Sequence, residues 1–292
     1  METLTLTAPQ ITELELFKLN DKIINSESII YNLTDDSLLK IYLPAKRIIK
    51  EIAEKIENVK DLNTYKKELN MEELIIPKEI VMQDANPIGF TIPKVPDATN
   101  LGLINNKKEK LGYLKQILTI LKKIDNFNKT HQKKLYLGDV HNGNFVVDSA
   151  DKVYVIDLDG CNFSNNTRVL SYHIYADEKL IQLQNKYRTD DNEFIVPDGN
   201  TDKFCYYMMV LNLLGQGKKE NSRVERFTLT EYYGYLDYLA KCGVAEDFLI
   251  GADCLYRENT DNKLPSGNVF NISGRKLNLI NVDDCKKEWL NG

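Results

Sequence analysis

One stretch constrains this chain more than any other: Leu137-Gly138-Asp139-Val140-His141-Asn142-Gly143-Asn144, followed by Val153-Tyr154-Val155-Ile156-Asp157-Leu158-Asp159-Gly160. An Asp, an Asn five residues later and a second Asp thirteen residues after that flank a short apolar hairpin. Such a layout suits phosphoryl transfer, which asks a protein mainly to orient a hydroxyl and to hold magnesium against a triphosphate. Asp139 has the chemistry to accept the hydroxyl proton, and Asn144 and Asp157 offer hard oxygen ligands to Mg²⁺. The plainer alternative is that the three residues only decorate two turns.

Charge and length exclude other classes. Lys and Arg number 38 against 43 Asp and Glu, a net charge of -5, so no basic field is available for nucleic acid or an anionic membrane. The 292 residues, 42% apolar, suffice for one large domain or two lobes without staples. Five scattered cysteines form no Cys-x-x-Cys pair, which is expected of free thiols in a reducing compartment: the cytoplasm, or a host cytosol after delivery. The first residues show no basic region before an apolar run, and no segment approaches eighteen consecutive apolar residues. A soluble protein without a secretory signal or membrane span is expected.

Along the chain, the pattern predicts a hairpin over Ser28-Leu33 and Leu38-Tyr42 around Thr34-Asp35-Asp36-Ser37. A helix begins near Pro44, with Ile48, Ile49, Ile52, Ile56 and Val59 on one stripe. A second strand pair covers Glu79-Met82 and Ile88-Val95, and Val95-Asn100 reads as a connector. From about Lys107 the period becomes helical, with Leu111, Leu114, Leu118, Leu121, Ile124 and Phe127 three or four apart. Further helices are expected at Asp202–Leu214, Thr230–Lys241 and Ala245–Tyr256; the polar tail from Asn259 has no assignment.

A small sheet with one helix, a connector, a mainly helical part and an Asp-x4-Asn loop before Ile-Asp-Leu-Asp together resemble the protein-kinase-like superfamily, over roughly residues 15 to 257. That superfamily includes eukaryotic-type protein kinases and the aminoglycoside and choline kinases. The resemblance implies an α+β, bilobal fold: residues 1–95 as a small antiparallel-sheet lobe with one helix, residues 96–292 as a mainly helical lobe. It implies ATP and Mg²⁺ as cofactors, Asp139 as the catalytic-loop Asp, and Asn144 and Asp157 as metal ligands. Lys40, in Leu-Leu-Lys-Ile, matches the strand lysine that meets the α and β phosphates, and Glu51 is the helix glutamate chosen to hold it. Ile92 falls at the gatekeeper position, Val95 offers an adenine-binding N–H, and Asp97 either reaches the ribose or forms a turn. Asp202 resembles the helix Asp that braces the catalytic loop from behind.

Two departures bear on function. Asn25-Ser26-Glu27-Ser28 contains no glycine where the family's nucleotide-covering loop has three, so Ser26 and Ser28 are left to donate hydroxyls and Glu27 to repel the triphosphate. His141, in Gly-Asp-x-His-x-x-Asn, is in the style of aminoglycoside-type kinases and is expected near the γ-phosphate. The first functional expectation is a Ser/Thr protein kinase acting on a protein substrate, because the connector leaves little room for the insertions that enclose small acceptors. The alternatives are a kinase of a small hydroxylated molecule, favoured by His141 and Gly138, and a nucleotide-binding module that no longer turns over.

Overall fold

The computed structural model describes residues 1–19, 27–44, 49–163, 199–215 and 227–254, together with 170–171, 194–195, 224, 277 and 280. The architecture is mixed α+β, with one five-stranded sheet and several helices. The chain begins with two elements that the apolar pattern does not reveal, β1 (Glu2–Thr5) and α1 (Ala8–Glu13). In the turn that starts α1, the Thr7 N–H donates to Gln10 Oε1 at 2.8 Å, a capping contact at a helix start. The expected hairpin follows as β2 (Ser28–Asn32) and β3 (Ser37–Tyr42), in antiparallel register with Ile30 opposite Lys40.

The helix α2 (Ile49–Thr64) and a short α3 (Lys66–Leu69) lead to the second expected pair, β4 (Glu79–Gln83) and β5 (Asn86–Pro93). The turn between them places Asp84 and Ala85 at φ 48° and 66°, the left-handed pair that suits a two-residue hairpin. The strand order is β1-β4-β5-β3-β2, and only the β1–β4 pairing is parallel. Alternation along β3 then sorts its side chains. Leu39 and Ile41 join Tyr31, Val81 and Ile88 on the face against which α1 packs Ile11. Lys40 and Tyr42 point the other way, where Tyr42 packs with Phe90, Ile80 and the α2 residues Ile52 and Val59. A lysine on this strand is thereby placed beneath a helix.

After β6 (Thr99–Asn100), the helix α4 (Lys107–Thr130) is capped by Asn106, whose side chain accepts from the Lys108 and Glu109 N–H groups. Its expected stripe, Leu111 through Phe127, is buried. Next come β7 (Leu135–Tyr136), β8 (Phe145–Val147), β9 (Val153–Val155) and β10 (Asn162–Phe163). Three further helices follow among the described residues, α5 (Gly199–Leu214), α6 (Leu229–Lys241) and α7 (Glu246–Cys254); the end expected at Tyr256 lies outside the described residues. In α5 every side chain from Phe204 to Leu211 is buried, which makes it the central helix of the large core. Leu62, Leu69, Met71, Leu74 and Ile76 belong to that same core. The chain around them also pairs with β9, through Ile75 N–H to Val155 O at 3.0 Å and Val155 N–H to Glu73 O at 2.8 Å. Among the described residues no helix is long and apolar enough to cross a membrane.

Gly89 sits opposite Ile41, and a Cβ there would stand 1.9 Å from the Lys40 carbonyl oxygen. Gly89→Ala must therefore push β3 outward, and we expect a loss of about 2 kcal/mol in urea unfolding, typical of forced overpacking.

Candidate active site

The loop after β7 hangs from the central helix. Asp202 on α5 accepts from the Leu137 N–H at 2.8 Å and the Gly138 N–H at 2.7 Å. Gly138 itself has φ 73°, a backbone region that favours glycine. Beyond it the chain makes a short turn over Asn142–Asn144, capped by His141, whose Nδ1 accepts from the Gly143 N–H at 3.0 Å. A Cβ on Gly143 would lie 2.5 Å from the His141 ring, so this close capping needs glycine.

That turn brings Asn144 back onto Asp139. The Asn144 amide nitrogen donates to the Asp139 backbone oxygen and to Asp139 Oδ2, both at 2.9 Å. His141 Nε2 stands 3.6 Å from the same carboxylate oxygen. Because Nδ1 accepts a hydrogen bond, the neutral ring carries its proton on Nε2. Burial lowers the His141 pKa, and the Asp157 charge opposes it only in part. The connector also reaches this loop, since Asn100 Nδ2 donates to the Gly143 oxygen at 2.7 Å.

The second half of the site forms where β3 meets the turn after β9. Asp157 begins that turn at φ 65° and ψ 35°, a left-handed conformation costing a non-glycine residue roughly 1–2 kcal/mol. The Lys40 ammonium, buried at 3% exposure, donates to Asp157 Oδ1 and to both oxygens of Asp159, at 2.8 and 2.9 Å. Tyr42 OH also donates to Asp159. From α2, Lys55 Nζ lies 4.0 Å from Asp159 and 4.6 Å from the Tyr42 ring centre, and it pairs with Glu27.

The two carboxylates of this turn are held differently. Burial opposes the Asp159 anion, yet Lys40 and Lys55 outweigh it and keep its pKa well below the carboxylate range. Asp157, only partly buried, shifts the other way, because that partial desolvation and the neighbouring Asp159 together outweigh Lys40. Burial works against the Lys40 cation too, but the facing carboxylates more than restore it and hold it charged.

Of the residues expected from sequence, Asp139, His141 and Asn144 thus meet in one loop and Lys40 meets Asp157. The Ile156 N–H, next to Asp157, donates to the Asn144 backbone oxygen at 3.0 Å and links the two groups. Ser28 is buried on β2 opposite Tyr42. Ser26 lies outside the described residues. Glu51 falls in the first turn of α2, and its side chain is likewise outside them. Ile92 and Pro93 end β5 opposite Leu38 and Ser37, Val95 follows half-buried, and Asp97 sits exposed in a turn at φ 49°. Glu27, whose charge would oppose a triphosphate, is tied to Lys55.

Sequence reasoning missed Asp159, Lys55, Tyr42 and Asn100. For Lys55 a signal existed: it falls between Ile52 and Val59 at helical spacing, on the buried stripe. Mg²⁺ needs only one or two protein oxygens when phosphates and water complete its shell. The half-buried Asn144 and Asp157 fit that requirement, with the Asn144 amide nitrogen engaged by Asp139 and its oxygen therefore facing away. Among the described residues no group of three or more His, Cys, Asp or Glu side chains is placed to hold a metal ion. Compared with known proteins, the chain matches no family model and no curated protein.

Asp202→Ala removes two charge-assisted bonds and leaves two buried N–H groups bare. We expect it to cost about 3 kcal/mol in urea unfolding.

Proposed function

We propose that this chain is an ATP-dependent phosphotransferase with a bilobal, protein-kinase-like arrangement, and that its acceptor is a Ser or Thr hydroxyl of a protein. In this reading residues 1–95 cover the nucleotide, and residues 96–292 carry the catalytic loop and the acceptor side. The observation that carries it is the meeting of Lys40 with Asp157, which lie 117 residues apart in sequence yet share one ion pair. The resemblance requires a strand lysine and a metal-binding Asp at one point, and nothing in local propensity would bring them together.

Asp139, held by Asn144, orients the acceptor hydroxyl and takes its proton as the new oxygen–phosphorus bond forms and the bond from the γ-phosphorus to the β-phosphate oxygen breaks. In this reading Lys40 would meet the α and β phosphates, and Asn144 and Asp157 would hold the metal. Bound Mg²⁺ would supply neutralising charge to the phosphate oxygens. His141, neutral and beside Asp139, supports a second reading in which the acceptor is a small hydroxylated molecule.

The test is the intact mass of the purified protein before and after Mg-ATP, beside Asp139→Asn and Asp157→Ala. Added phosphate in the wild type alone is the expected result, with each variant slowed by about 10²-fold or more. Without added phosphate, ATP consumption with aminoglycosides, choline-like amines or sugars would establish the second reading. Mg-nucleotide binding with no transfer to any acceptor would overturn both and mark a silent binding module.

A further inference from the structure

Asp159 is 0% exposed, whereas the Asp157 side chain two residues earlier is 38% exposed. This difference separates their roles. A carboxylate open to solvent can meet a ligand; one sealed beneath the turn can act only through the groups it touches. Asp159 touches Lys40 with both oxygens, at 2.8 and 2.9 Å, and Tyr42 OH with one of them. Lys55 stands 4.0 Å from it and is itself paired with Glu27. The described part of α2 therefore presents a cation to this cluster, and the buried anion comes from the turn.

The geometry points to Asp159 as the positioning residue for Lys40, the role that the sequence reading assigns to Glu51. A lysine ammonium has three hydrogens on a flexible stem, and a single facing carboxylate does not fix its direction. The two oxygens of Asp159 together with Asp157 give it three acceptors, which do fix it. Because both carboxylates sit on one turn, the metal-side Asp and the lysine anchor are placed by the same element. Without the Asp159 charge, Lys40 would face Asp157 alone, and its ammonium would be released from the direction in which it meets a nucleotide. The inference rests on the phosphotransfer reading only for what Lys40 is held to meet.

The experiment treats wild type, Asp159→Asn and Tyr42→Phe with the N-hydroxysuccinimide ester of acetic acid and follows each lysine by peptide mass spectrometry. Lys107, which donates to the Leu214 oxygen on a different element, is the control for general loosening. Mg-ATP binding is measured on the same proteins by calorimetry. Asp159→Asn should speed Lys40 acetylation by about tenfold with Lys107 unchanged, the loss of one charge-assisted bond. Mg-ATP affinity should fall by a similar factor. Tyr42→Phe, which keeps the charge and the shape, should shift both in the same direction by about threefold.

Unchanged Lys40 reactivity in both variants would overturn the anchor. So would a rise in Lys40 and Lys107 together, or wild-type nucleotide affinity despite a freed Lys40. Selective release of Lys40 with no Mg-ATP binding by any form, wild type included, would sink the phosphotransfer reading and leave the anchor standing.

Discussion

The buried ammonium of Lys40 is the constraint around which the rest of this molecule is arranged. Removing one partner from a buried pair leaves a charge that costs several kcal/mol, so a lysine at this depth commits the protein to bringing carboxylates to it. Two arrive on a single turn, and Tyr42 completes the cluster. Ridding one side of the pair of water makes the other obligatory. The strand that carries Lys40, the helix above it and the turn beyond β9 are therefore coupled, although the turn lies far along the chain from the other two.

The same logic of internal satisfaction shapes the catalytic-looking loop. Its backbone N–H groups at Leu137 and Gly138 lie against the core, and Asp202 answers both from the central helix. Its polar side chains are engaged within the loop, with Asn144 donating to Asp139 and His141 accepting from the Gly143 N–H. A loop braced in this way holds Asp139 and Asn144 in a set geometry.

Much of this was written in the order of residues. Apolar period set the long helix over Lys107–Thr130, and turn chemistry set both hairpins of the sheet. The Asp139, Asn144 and Asp157 spacing marked a candidate site, and the short hairpin between its flanks leaves little freedom in where they emerge. By contrast β1 has a single large apolar residue, Leu4, in four positions, and its partner β4 lies more than seventy residues on. No local pattern encodes so distant a pairing. Asp159 was in plain view within Ile-Asp-Leu-Asp, but burial is a property of surroundings, and only the folded chain shows that β3 lies over it.

The sequence by itself determined the longer helices, the hairpins and the loop that carries Asp139, since these depend on periodicity and turn residues within a few positions. Only the tertiary structure decided which cation meets which carboxylate: Lys40 with Asp157 and Asp159, and Lys55 with Glu27. Those choices follow from distance and desolvation across the whole chain. A charge gains a strong partner only where folding has removed the water between them.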